Sequence, residues 1–256
     1  MDIKQLRKRL AEILFPKNFT CDICGVETFG DNLCPDCKKT VAFNFGTTCP
    51  LCGRRTVRPE LCLECKEKPP AFKRAVSAIV HQDGGVFLVK KFKSGGAYLK
   101  EFFADLLAKK LEDFPKFDGI VFVPATKKSV RKRGYNQSLL LAESVGERLG
   151  VEVIKDAIEK VAETREQKNL TRAERQSNLA SCFKIKNKDA VKDKTLLLVD
   201  DVLTTGATAE TLCSLLLNAG AKSVYLATVT CVENKIFKEQ NASDIKSSQK
   251  RRKNRE

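Results

Sequence analysis

Four C-x-x-C pairs near the start of this sequence constrain its fold more than any other feature. The last two pairs repeat the first two at a fixed distance of 28 residues (Cys21 to Cys49), as CDICG and CPDCK followed by CPLCG and CLECK. Two such pairs complete a tetrahedral Cys₄ site of the kind that holds structural zinc. The candidate ligands for two structural Zn²⁺ ions are Cys21, Cys24, Cys34, Cys37, Cys49, Cys52, Cys62 and Cys65.

The residues between these cysteines include few large apolar side chains, so metal ligation is expected to supply most of the stability of residues 21–68. A closed Cys₄ shell leaves no coordination position for catalysis. Iron–sulfur ligation and redox-active thiols are the alternatives, although no βαβ pattern surrounds any pair. The pairs could share a metal within each repeat or in an interleaved arrangement. Cys182, Cys213 and Cys231 lie in apolar or helical segments and are predicted to be core residues.

After Pro69-Pro70 the cysteine pairs stop, and segments typical of strands and helices alternate. Strands are predicted at 75–80, 119–124, 195–201 and 223–229, and helices at 98–111, 138–149, 171–181 and 207–219. This alternation predicts an α/β fold, a parallel sheet with helices on both faces. The predicted organisation is an amphipathic helix over 1–20, a double zinc ribbon over 21–68, the α/β domain over 72–234 and a disordered basic tail over 235–256.

The carboxyl ends of parallel strands are where such sheets bind ligands, and the apolar run 195–201 ends there in two acids. A loop of hydroxyls and glycine follows and then opens a helix, whose N–H groups and dipole suit a dianionic phosphate. The two carboxylates can accept hydrogen bonds from ribose hydroxyls beside it. The candidate residues for a ribose-5-phosphate group are Asp200, Asp201, Thr204, Thr205, Gly206, Ala207 and Thr208.

This segment resembles the phosphoribosyl pyrophosphate (PRPP) motif of type I phosphoribosyltransferases. The resemblance implies PRPP bound with Mg²⁺, and catalytic roles for Asp200 and Asp201 if the chain is an enzyme. Such enzymes place a pyrophosphate loop after an earlier strand, which corresponds here to the basic stretch after Pro124. Its candidate residues are Ala125, Thr126, Lys127, Lys128, Arg131 and Arg133. The alternative is a solvated basic loop. The only histidine, His81, lies outside these motifs and is interpreted as structural.

A closer resemblance comes from RGYNQ at 133–137, which is similar to the RGFNQ motif of the ComF competence family. The segment from Arg165 and Gln167 to Phe183 resembles the flexible loop of that family, so Arg165 and Gln167 join the candidate site. The resemblance covers residues 6–234 and implies a PRPP-binding protein that handles single-stranded DNA in natural transformation. It also implies DNA-uptake or helicase partner proteins. The alternatives are an active phosphoribosyltransferase with an unidentified acceptor, and a zinc-ribbon scaffold.

The formal net charge of +15 favours polyanionic partners. Much of the excess lies in 126–135 and in the tail over 235–256, which is either solvated and disordered or a nucleic-acid contact. The sequence includes no apolar run long enough to span a membrane and no signal-peptide pattern, so a cytoplasmic location is expected. The helix over 1–20 either docks on its own protein or lies on the inner membrane face.

Overall fold

A four-stranded parallel sheet lies at the centre of the computed structural model, which describes residues 19–162, 179–233 and Phe237. The strands are β1 (Ala75–Val80), β2 (Gly119–Phe122), β3 (Ile158–Lys160), β4 (Phe183–Ile185), β5 (Thr195–Leu203) and β6 (Ser223–Cys231). The sheet has the order β1-β6-β5-β2. β3 and β4 form a separate antiparallel pair. The nine-residue strand β5 therefore lies inside the sheet, with its carboxyl end beside those of β2 and β6.

Seven helices lie entirely within the described part of the chain. They are α1 (Pro35–Thr40), α2 (Leu63–Glu67), α3 (Asp83–Lys93), α4 (Leu99–Leu111), α5 (Lys127–Arg133), α6 (Gln137–Leu149) and α7 (Ala207–Asn218). Among the described residues, no helix has the length and apolarity needed to cross a bilayer.

Alternate residues of β5 point into two separate cores, as the pleat of a strand requires. Leu196 and Leu198 pack in one cluster with α7, whereas Leu197 and Val199 pack in another with α3, α4 and α6. Both faces of the sheet are covered, which is why β5 is apolar throughout rather than alternating. The prediction of helices on both faces is confirmed.

The two cysteine repeats lie on opposite faces of the sheet. Cys49 and Cys52 belong to the same core cluster as α7, whereas Cys21 and Cys34 belong to the cluster with α3. The segment between the repeats runs beside the edge strand β1, where the Val80 N–H donates to Ala42 O at 2.7 Å. The repeats and their connection therefore cover an edge that would otherwise expose unpaired backbone groups.

The predicted strands and helices are confirmed within the described residues, with bounds shifted by a few residues at some ends. Strand β2 ends at Phe122 rather than 124, because Pro124 has no N–H to donate. The helix predicted over 171–181 falls mostly outside the described residues, and its last three positions are helical. The helix predicted over 1–20 and the tail over 235–256 lie outside them, apart from residues 19–20 and Phe237.

Helix α3 and the β3–β4 pair were not predicted. The first turn of helix α3 includes Gly84 and Gly85, which disfavour a helix in isolation. Both glycines permit close packing, since a Cβ on Gly84 would lie 2.6 Å from Thr40 Oγ1 and one on Gly85 2.5 Å from Val80 O. Tertiary packing therefore overrides the local preference. Strands β3 and β4 have three residues each, too few to show a periodic pattern.

Candidate functional site

The eight cysteines of the repeats form two separate groups of four. Cys21, Cys24, Cys34 and Cys37 form the first group, and Cys49, Cys52, Cys62 and Cys65 form the second, with all sulfur atoms of a group within 4.8 Å of one another. The Sγ–Sγ distances of Cys24–Cys34 and Cys52–Cys62 are both 3.7 Å. A tetrahedron with Zn–S bonds of about 2.3 Å has edges of about 3.8 Å, so the thiols fit zinc. The pairs therefore combine within each repeat and are not interleaved.

Each repeat also has the backbone of a metal knuckle. The glycine after the second cysteine adopts a left-handed conformation, with φ of 79° at Gly25 and 68° at Gly53. Its N–H donates to the carbonyl of the first cysteine at 2.9 Å in both repeats. Glycine adopts this conformation without steric cost, so the sequence C-x-x-C-G builds the same turn twice. Four thiolates at each site leave no open coordination position, so both sites are structural.

Asp200 and Asp201 follow the buried run 196–199 of β5, and their side chains have different partners. Asp200 Oδ1 accepts hydrogen bonds from Ser138 Oγ at 3.0 Å and from the Asp201 N–H at 2.8 Å. Asp201 Oδ2 lies 2.8 Å from Lys93 Nζ at the end of α3. Two acids on consecutive residues are therefore held in place by three elements, β5, α6 and α3.

The electrostatics of this acid pair favour a proton or a cationic partner. The pKa of Asp200 is raised to about 7, first by burial and then by the neighbouring Asp201 carboxylate, while the hydrogen bonds from the Asp201 N–H and Ser138 oppose the rise. Burial lowers the pKa of His81, and nearby Lys93 lowers it as well, whereas Asp201 opposes that change. His81 Nδ1 is 3.0 Å from Thr230 Oγ1. His81 and Lys93 therefore lie at the border of the acid pair.

The loop after β5 turns sharply into α7. Gly206 adopts a left-handed φ of 83°, and no side chain of a described residue caps the helix at this position. Thr204 and Thr205 are exposed, and Thr205 Oγ1 accepts from the Ala207 N–H at 3.4 Å. A recess at this point is lined by Asp200, Val202, Leu203, Thr204, Gly206, Thr208, Ala209 and Thr228. A helix N-terminus, whose first N–H donates only to the exposed Thr205 hydroxyl, thus lies next to the two acids.

The segment after β2 was predicted to be a basic loop. This prediction is wrong for residues 127–133, which are helical. Only residues 123–126 are irregular, and α5 begins at Lys127 because Thr126 Oγ1 accepts from the Ser129 N–H at 3.1 Å. The five basic side chains of α5 are exposed, and none forms an ion pair with another described residue. They are Lys127, Lys128, Arg131, Lys132 and Arg133. Because β2 and β5 are parallel neighbours, α5 follows the same edge of the sheet as the acid pair.

The RGYNQ segment connects α5 to α6 and to the acid pair. Gly134, with φ of 86°, ends α5. Asn136 Nδ2 donates to Val123 O at 3.2 Å, and its Oδ1 accepts from the Ser138 N–H at 3.1 Å, so one side chain fixes both the end of β2 and the start of α6. Tyr135 Oη donates to Phe92 O at 2.5 Å. This motif therefore positions Ser138 against Asp200.

Sequence reasoning missed four residues that contact the site. Lys93, Ser138 and Thr228 are far from the acid pair along the chain and lie in no motif with it, so only the fold brings them together. The fourth, Arg54, lies in the second repeat and donates to the carbonyl of Thr204. The candidate residues Arg165 and Gln167 lie outside the described residues.

Comparisons with known proteins agree with this geometry. Residues 102–254 match the family described as Phosphoribosyl transferase domain, and residues 10–66 match the Double zinc ribbon domain. The DNA utilization protein YhgH of Salmonella typhi is 30% identical over 62% of this chain and 72% of its own length. Competence protein F of Haemophilus influenzae is 26% identical over 81% of this chain and 94% of its own length.

The chain is therefore a phosphoribosyltransferase-domain protein with a double zinc ribbon in front of that domain. Within this class it belongs to the ComF family of competence proteins. Among solved structures it is similar to the glutamine PRPP amidotransferase of B. subtilis, at 19% identity and a TM-score of 0.38. That similarity covers 52% of this chain and about a quarter (26%) of the other.

Proposed function

We propose that this protein binds the phosphoribosyl group of PRPP at the loop after β5 and handles single-stranded DNA during natural transformation. The observation that carries the first part is the N-terminus of α7, which follows Asp201 after residues 202–206 and has no side-chain hydrogen bond from its N-cap residue Gly206. N–H groups at a helix N-terminus, with the helix dipole, bind a dianionic phosphate. The carboxylates beside them offer acceptors for the ribose hydroxyls.

In this proposal the phosphate end and the ribose end of the ligand use different residues. The hydroxyls of Thr204, Thr205 and Thr208, with the N–H groups of Thr205, Gly206 and Ala207, bind the 5-phosphate, which replaces the Thr205 hydroxyl as acceptor for the Ala207 N–H. Asp200 and Asp201 hold the ribose, which requires Lys93 to share or release Asp201. Mg²⁺, if it accompanies PRPP, would neutralise the pyrophosphate near these carboxylates. Ala125 and Thr126, followed by Lys127, Lys128, Arg131 and Arg133, face the pyrophosphate end of the site.

Calorimetric titration with ribose-5-phosphate tests this assignment. At pH 8, where Asp200 is ionised, replacing Asp200 and Asp201 by Asn together should weaken binding by about 2–4 kcal/mol, because each loses a charge-assisted hydrogen bond. The control is Asp189→Asn, which changes an exposed acid before the amino end of β5. Equal affinities for the wild type and the double variant would contradict the ribose assignment.

The DNA part of the proposal is supported by α5 and by the names of the relatives. Those relatives are named as DNA utilization and competence proteins. In this chain, the exposed basic side chains of α5 have no acidic partner among the described residues, so they are free to neutralise backbone phosphates. The sequence includes no Trp and three Tyr, which favours electrostatic binding over stacking.

Salt dependence distinguishes this binding from other modes. The logarithm of the affinity for single-stranded DNA should fall linearly with the logarithm of the salt concentration, with a slope of about −0.7 per phosphate contacted. Changing Lys127, Lys128, Arg131 and Lys132 to Gln should reduce both the affinity and the slope. The matched control changes the same number of exposed charges in the segment that precedes β5, at Lys184, Lys186, Lys188 and Lys192. An equal effect of both variants would contradict the assignment to α5.

An active phosphoribosyltransferase is the second candidate. It is favoured by the paired carboxylates, which could stabilise the positive charge that develops at the ribose when pyrophosphate leaves. No described residue stands out as the acid or base for an acceptor. Incubation with PRPP, Mg²⁺ and a panel of bases should release no pyrophosphate above background if the protein only binds. Release with one base would favour the enzyme.

A further inference from the structure

The second zinc ribbon reaches the proposed phosphate loop through one side chain. Arg54 Nη2 donates to the carbonyl oxygen of Thr204 at 2.5 Å, and its Nη1 lies 2.7 Å from Glu64 Oε2. The Arg54 side chain is 6% exposed, whereas that of Glu64 is 59% exposed. A buried guanidinium from the ribbon therefore binds the exposed loop 150 residues further along the chain.

The duplication shows that the ribbon itself does not require this arginine. Arg54 corresponds to Val26 in the first repeat, since each residue follows the glycine of its knuckle. The carbonyl of each also accepts a hydrogen bond from the N–H of the first cysteine, at 2.7 Å from Cys21 to Val26 and at 2.8 Å from Cys49 to Arg54. Val26 is 53% exposed, whereas Arg54 is 5% exposed. An aliphatic residue thus suffices for the knuckle, and Arg54 is explained by what it contacts.

Burying a guanidinium here carries a cost that an apolar residue would avoid. Arg54 Nε is buried with no partner among the described residues. The neighbouring part of the second repeat packs in an apolar cluster with Leu203 and Ala209, which flank the loop. Removing a charge from water is unfavourable unless its hydrogen bonds are made elsewhere. An aliphatic side chain could make neither the bond to Thr204 nor the ion pair with Glu64, and of these two contacts the one to Thr204 reaches outside the ribbon.

The contact between Arg54 and the Thr204 carbonyl also fixes the direction of the next N–H group. The peptide between Thr204 and Thr205 is planar and trans, so the direction of the Thr204 carbonyl sets the opposite direction of the Thr205 N–H. We propose that Arg54 is a positioning residue that aims the Thr205 N–H at the ligand phosphate and keeps the Thr204 carbonyl from facing it. The second zinc ribbon is then a brace for the phosphate loop. This inference rests on the proposed function of that loop.

The test compares full-length Arg54→Met and Arg54→Lys with a control, Arg58→Met, which removes an exposed charge from the same ribbon. Hydrogen exchange is measured without ligand, ribose-5-phosphate affinity by calorimetry, and zinc content by elemental analysis. In the Arg54→Met variant, backbone hydrogen exchange should be faster at residues 203–210 only, and the zinc content should be unchanged. Its affinity for ribose-5-phosphate should be about tenfold lower, which is the loss expected for one charged hydrogen bond. Arg54→Lys should restore part of the affinity, and Arg58→Met should match the wild type.

Two results would overturn the proposal. One is wild-type exchange and affinity in Arg54→Met. The other is faster exchange throughout the ribbon and β1 with loss of zinc, for Arg54→Lys as well as Arg54→Met, because that pattern belongs to a residue needed only for folding. If the proposed function of the loop is wrong, the result differs from both of these, because the wild type itself would then not bind ribose-5-phosphate. The exchange measurement would still decide whether Arg54 braces the loop.

Discussion

The side-chain carboxyl of Asp200 lies where its ionisation is unfavourable, so replacing Asp200 by Asn should stabilise the ligand-free protein. Its pKa rises from 3.8 to about 7, chiefly through burial. The folded protein therefore binds this proton more tightly than the unfolded chain. The resulting contribution to stability is complete below the unfolded pKa of 3.8 and is lost as the pH rises through about 7. The Asp200→Asn variant does not ionise at this position, so its stability does not fall for this reason as the pH rises.

The magnitude follows from the same pKa values. One pKa unit corresponds to about 1.4 kcal/mol, so the change from 3.8 to 7 sets an upper bound of about 4 kcal/mol. The Asn amide does not fully reproduce a protonated carboxyl, so we expect about 1–3 kcal/mol at pH 8. Asn keeps an oxygen that can accept from Ser138 Oγ and from the Asp201 N–H, so the local hydrogen bonds survive.

Urea unfolding of the wild type and Asp200→Asn, at several pH values between 4 and 9, measures this effect. The free energy of unfolding of the variant should exceed that of the wild type by an amount that grows up to about pH 7 and then stays constant. Asp189→Asn, an exposed change of the same kind, should show no such trend. A variant that is less stable than the wild type at pH 8, or a difference independent of pH, would refute the reasoning.

Other expected outcomes follow from the ribbons and from the RGYNQ segment. Elemental analysis of the wild type should find two Zn²⁺ per chain. The Cys24→Ser variant should lose one of them and show faster hydrogen exchange in the first ribbon only. Finding one zinc, or iron, in the wild type would contradict the assignment of two zinc sites. Tyr135→Phe removes the hydroxyl that bonds Phe92 O and should lower the free energy of unfolding by about 1 kcal/mol in urea. An unchanged stability would mean that this bond contributes nothing.

Much of the architecture could be predicted because the patterns are local. The four C-x-x-C pairs predict two zinc sites, and long apolar runs such as TLLLVDD predict buried parallel strands. The two acids at the end of β5 follow from the same run. Which cysteine pairs share a metal could not be predicted, because both arrangements have the same spacing along the chain.

What the sequence does not reveal depends on contacts between distant segments. Helix α3 has two glycines in its first turn, which close packing explains, and the fold brings its last residue, Lys93, into contact with Asp201. Helix α5 begins where a basic loop was expected, because Thr126 caps it. A signal for Arg54 was available in the duplication, where Val26 is its counterpart, although nothing in the sequence indicates what Arg54 contacts.

The central claim is that the loop after β5 binds the phosphoribosyl end of PRPP. Calorimetric titration of the wild type with PRPP and Mg²⁺, repeated with ribose-5-phosphate or with pyrophosphate already present, tests it most directly. We predict one site per chain, with PRPP binding suppressed by ribose-5-phosphate in proportion to its concentration. No PRPP binding, or binding that only pyrophosphate suppresses, would contradict the claim, because the ligand would then be held by the basic segment and not by the loop.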